Sequence, residues 1–179
     1  MSKLSTLAVF AFVAACGNPG PTSPQAAASL EDQSNAALTD MFARAPQLHA
    51  VVNDAAGYAM FPSIGAAGAL IAGGASGHGV LYENGYPIGY VSLKQGSVGP
   101  QLGGQTFAEL IVLPTRDDVA AMRAGNFKFG AHACAVILNR VAATATRFGR
   151  GQTVFIQPKG GMMASASITG QHIDFVPRG

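Results

Sequence analysis

The chain has 179 residues, 49% hydrophobic and only 11% charged, with 23 Gly, no Trp and a net charge of +2. That length is enough for one domain with its own core. So apolar and weakly charged a composition excludes a disordered chain, and singly spaced basic residues with few aromatics argue against nucleic-acid binding.

The first sixteen residues read MSKLSTLAVFAFVAAC. One Lys precedes an apolar run from Leu4 to Ala15, the pattern of an export signal and too short to span a bilayer comfortably. The run ends Val13-Ala14-Ala15-Cys16, which resembles a bacterial lipobox and makes Cys16 the expected lipidation site. The alternative is an ordinary cleavable signal with a coincidental Cys. Acyl chains on Cys16 would anchor the protein firmly, at ~0.8 kcal/mol per buried methylene. Gly17 stands where an Asp would resemble an inner-membrane retention signal. The expected location is therefore the bacterial outer membrane, facing the periplasm. With Cys16 acylated, Cys134 has no partner for an intramolecular disulfide, and within HACAVIL it reads as a small core residue.

Residues 16–28, with three Pro and two Gly after Cys16, read as a flexible tether. A single domain is expected over 29–179. Ser29 with Asp32 predicts a helix start resembling a capping box. Leu38, Met41, Phe42 and Ala45 then supply an apolar stripe. Pro46 suits the first turn of a second short helix that buries Leu48, Val51, Val52 and Ala55. The run 61–80, FPSIGAAGALIAGGASGHGV, is free of charge. Its glycines make a poor membrane helix, and it predicts buried strands and tight turns. Residues 78–114 carry strand signals, with hairpin turns expected at Asn84-Gly85 and at Gly103-Gly104. Tyr90, Ser92 and Lys94 alternate with Val91, Leu93 and Gln95, as a half-buried strand would. Thr115 and Asp118 predict a capped helix over 116–123, ended by Gly125. One or two strands are expected in 130–147, where the Ala content fits a helix equally well, and further strands at 152–157, 162–168 and 171–176. The fold class is α+β, with N-terminal helices packed on a mainly antiparallel, sandwich-like sheet.

Motifs for chemistry are sparse. His49, His78, His132 and His172 show no metal-ligand spacing, so no metal, cofactor or catalytic set is predicted. Ser76 lacks the last Gly of a nucleophile elbow. Glu109 reads as an exposed strand residue. The glycine run lacks the Lys of a phosphate loop. A hydrolase would have to assemble a Ser or Cys134 with His132, His78 or His172 from distant positions. Charge is distributed unevenly: residues 16–118 hold three basic against eight acidic residues, and 119–179 hold seven basic against one acidic, a net of −5 against +6.

The succession AAGYAMFPSIGAAGALIAGGASGHGVLYENG, IGYVSLKQGSVGPQLGGQTFAELIVL, MRAGNFKFGAHACAV and VFIQPKGGMMASASITGQHIDFVP resembles the SYLF domain family over roughly residues 37–177. Phe61-Pro62-Ser63, Gly103-Gly104-Gln105 and Gly160-Gly161 fall at characteristic positions. The resemblance implies one α+β domain, largely antiparallel, that binds anionic phospholipid without enzymatic activity. Many relatives carry Lys near positions 66 and 78, where this chain has Ala66 and His78, and the first helix here is acidic. Both departures move the expected headgroup site to Arg140, Arg147, Arg150 and Lys159, since an Arg fork can donate two hydrogen bonds to phosphate. The expected partners are anionic phospholipids, with the membrane reached through the N-terminal anchor. A structural lipoprotein that binds an envelope protein is the alternative.

Overall fold

A computed structural model describes residues 20–129, 134–138, 152–161 and 171–179. The leader, Cys16, Arg140, Arg147, Arg150 and the strand expected at 162–168 lie outside the described residues, as does the side chain of Cys134. The elements run α1 (Pro24–Arg44), α2 (Leu48–Asn53), β1 (Gly57–Glu83), β2 (Tyr86–Leu113), α3 (Arg116–Arg123), β3 (Cys134–Ile137), β4 (Thr153–Gly161) and β5 (Gln171–Pro177). The α+β class is as the sequence predicts.

Helix α1 starts before the expected Ser29, inside the segment read as a flexible tether. Ser23 is its cap, accepting a hydrogen bond from the Ala26 amide at 3.1 Å, and Pro24 occupies the first turn. A Pro loses nothing there, because the first-turn amides have no helical partner in any case. Ser29 is mid-helix, its hydroxyl accepting from the Gln33 side chain. Gly20 packs on Val176 of β5. The helix buries Ser34, Ala37, Leu38 and Met41, with Ala45 just beyond it, while Phe42 is only partly covered. Leu48 and Val52 of α2 join the same core. Helix α3 is capped as predicted: Thr115 accepts from the Asp118 amide, and Asp118 accepts from the Thr115 amide.

Strands β1 and β2 form one long antiparallel hairpin across Asn84-Gly85. Both turn residues have positive φ, 51° and 81°, which is the type I′ geometry that matches strand twist. Gly103-Gly104 is not a turn. It lies inside β2 opposite Gly68 and Ala67, and Gly103 absorbs a φ of 112° within the strand. The glycine run likewise contains no tight turn, and it is not buried throughout: Ser63, Gly65, Gly74, Ser76 and His78 are exposed.

A straight strand of 27 residues would reach roughly 90 Å, about twice the diameter of a domain this size. Instead β1 doubles back on itself. A Cβ built on Gly57 would lie 2.6 Å from the Tyr82 carbonyl oxygen, and one on Gly79 2.5 Å from that of Met60. The outer arms of β2 carry β5 on one side and β4 with parallel β3 on the other. Counting each arm, the sheet is seven strands wide among the described residues.

Both faces of the sheet are covered. Tyr58, Met60, Val80, Tyr82, Tyr90, Leu110, Val112 and Phe155 pack with α1 and α2. Phe61, Ile64, Leu81, Val91, Leu93, Phe107, Ile111, Val154 and Ile173 pack on the other face with Val119 and Met122 of α3. Residues 90–93 are therefore buried on both sides, and the half-buried alternation expected there begins only at Lys94, which is exposed. The second face is concave. Glu109 and Gln171 stand on arms separated by three others, which in a flat sheet would be about 19 Å apart. Here their side chains meet at 3.2 Å.

Candidate functional site

Register places two rows of polar residues across β1, β2 and β5. His78 lies opposite Ser92, and Ser92 opposite Asp174; Ser76 lies opposite Lys94, and Lys94 opposite His172. Directly paired antiparallel residues share a face. The face is that of α1, since the next residue of the series, Tyr90, donates its hydroxyl to Glu31 of α1 at 2.8 Å. Glu31 also binds the Arg178 guanidinium at 3.1 Å, so the helix is tied to the sheet at this level.

The β1 and β2 members of these rows, Ser76, His78, Ser92 and Lys94, floor a cleft of about 520 Å³. Leu30 and Gln33 of α1 form one wall. Pro62 and Ser63 form the other, at the bulge between Phe61 and Ile64 that re-aims β1. Ser92 is 2% exposed, and its hydroxyl has no hydrogen-bond partner. Lys94 is about half exposed, its ammonium 3.6 Å from Asp174; His172 Nε2 lies 3.1 Å from the other oxygen of that carboxylate.

Glu109 is not on an exposed face. It is 1% exposed, opposite Phe61 and Ile156. Burial pushes its carboxyl up to about 7, against a smaller downward pull from the Gln171 amide. That amide donates to both Glu109 oxygens and, at 3.4 Å, to Gln95, while its own oxygen is buried without a partner. The segment Ala108–Leu113 held the signal for this: it is apolar in both alternations, as a strand covered on both faces is.

Of the residues expected to bind headgroups, only Lys159 is described. It is exposed on β4, close enough to Asp40 of α1 to help lower that carboxyl. The main cause of the lowering is the hydrogen bond from Gln157, opposed in part by burial and aided by Arg44 at 3.2 Å. The basic third is partly neutralised by the acidic remainder. Arg123 pairs with Glu83 at 3.8 Å and Arg178 with Glu31, leaving Lys128 and Lys159 outside any ion pair among the described residues.

Among the described residues no serine hydroxyl is hydrogen-bonded to an imidazole. No group of His, Cys, Asp and Glu among them could hold a metal ion. None of the described helices is long and apolar enough to cross a membrane. No family model matches the chain, and no curated protein matches it.

Proposed function

We propose that the protein is a non-enzymatic envelope lipoprotein of the SYLF type, anchored through Cys16 in the outer membrane, whose domain binds anionic phospholipid. The observation that carries this reading is the +6 balance of residues 119–179 behind a leader ending in a lipobox. Arg140, Arg147 and Arg150 fall between β3 and β4, and Lys159 stands exposed on β4. Each basic residue near an anionic surface contributes about 1 kcal/mol, and added salt screens it.

Co-sedimentation with vesicles of the Cys16→Ser protein without residues 1–15 separates domain binding from anchoring. Phosphatidylglycerol or cardiolipin vesicles should retain it, neutral vesicles should not, and salt should release it. Replacing Arg140, Arg147, Arg150 and Lys159 together by Ala should weaken retention by up to about a thousandfold. Equal retention by neutral vesicles at low salt, or undiminished retention of the fourfold variant, rejects the reading in this form. The ion pairs of Arg123 and Arg178 favour the second reading, a partner-binding lipoprotein whose lipid contact is only its anchor. Crosslinking in cells that recovers one stoichiometric envelope partner, with no vesicle binding, would select it.

A further inference from the structure

We propose that the cleft between α1 and the β1–β2–β5 rows is a binding site for a phosphate ester anion, with Lys94 and Ser92 as its recognition groups. The inference is independent of the basic C-terminal set. Its first support is the buried Ser92 hydroxyl, which lacks a partner and belongs to a residue that lines the cleft. A buried hydroxyl left unpaired is destabilising, and native chains keep few of them. The neighbouring positions, Val91 and Leu93, show what the strand uses where only packing matters. A phosphate oxygen in the cleft would accept the Ser92 proton.

The second support is charge. Among the described residues, Lys94 is the only Lys or Arg in the cleft wall, and its ammonium carries three donors, of which Asp174 engages one side from β5. Among the described residues, neither Asp174 nor any other carboxylate is in the wall. His78 and Ser76 add further hydrogen-bonding groups on the same face. The third support is shape. The cleft volume lies in the range of small-molecule sites, and Leu30 and Pro62 give the polar floor an apolar border. An ester with a carbon portion fits this lining better than a bare ion. The same chemistry could come from a lipid headgroup or from a free phosphate compound.

The full chain in nonionic detergent, titrated calorimetrically at low salt with inorganic phosphate and separately with dispersed dihexanoyl phosphatidylglycerol, tests this. Binding of the lipid but not of inorganic phosphate assigns a headgroup; binding of both assigns the phosphate itself as the recognised group. Lys94→Met should weaken binding about tenfold and Ser92→Ala about fivefold. Ser92→Ala should melt no lower than the parent, because it removes an unpaired buried hydroxyl. Absence of heat and of amide NMR shifts with both probes overturns the proposal. So does binding that either single variant leaves intact, since loss with Lys94→Met alone would indicate only diffuse charge.

Discussion

Replacing Glu109 by Gln is expected to abolish a pH dependence of stability and to raise stability at pH 8. The carboxyl is 1% exposed and faces Phe61, Ile156 and the Gln171 amide. Burial raises it from an ordinary 4.5 to about 7. In the unfolded chain the proton leaves near the lower value, in the folded chain near the higher one. Between them the folded state holds more protons, so stability falls as pH rises from about 4.5 to 7 and levels off above. The full displacement corresponds to roughly 3 kcal/mol. The amide of Glu109→Gln would have the same shape as the carboxyl and no charge to desolvate. It could also serve the Gln171 oxygen that now lacks a partner. Denaturant unfolding at pH 5 and pH 8 measures both effects. The parent should lose stability between the two, the variant should not, and the gap at pH 8 should move the melting temperature by about 6–12 °C. A parent equally stable at both values would mean that Glu109 is not buried as described.

The same residue shows how the fold could be read in part and where reading stopped. Local chemistry was legible. Asn84-Gly85 demands positive φ twice and made a hairpin turn; Thr115 and Asp118 made a reciprocal cap. Gly103-Gly104 carried a similar signal and failed, because β1 is long enough to keep pairing past it. The cleft was illegible for a geometric reason. A two-residue turn pairs Glu83 with Tyr86 and Tyr82 with Pro87, and continuing that register would set His78 opposite Val91 and Ser76 opposite Leu93. One irregularity between Leu81 and Tyr82 shifts the pairing by a residue, and Leu81 meets Gly89 instead. A one-residue slip turns a strand's side chains to the other face. It is this slip that sets His78 beside Ser92 and Ser76 beside Lys94. The doubling of β1 was hidden similarly, since glycines that let backbones touch look the same in sequence as glycines that turn.

That doubling yields the second large effect. Gly79→Ala is expected to destabilise the protein by about 3 kcal/mol or more, the upper range for forcing extra atoms into a packed site. Its Cβ would sit 2.5 Å from the Met60 carbonyl oxygen and 2.8 Å from the Phe61 ring, both fully buried. The nearest atom belongs to backbone held in the same sheet, so no side-chain rotation relieves the clash. Gly65→Ala is the matching control. It lies in the same strand, is exposed, and meets nothing within 4 Å. Its loss of unfolded-chain freedom should leave stability unchanged or raise it by about 0.4–1 kcal/mol. Chemical denaturation of the two variants side by side therefore measures the packing of one half of β1 on the other. If Gly79→Ala were as stable as Gly65→Ala, the halves would not be in contact. The cleft, whose walls are Pro62 and Ser63 from one half and whose floor includes Ser76 and His78 from the other, depends on that contact. Gly79→Ala should accordingly weaken ligand binding in the cleft as well as folding, whereas Gly65→Ala should leave both intact.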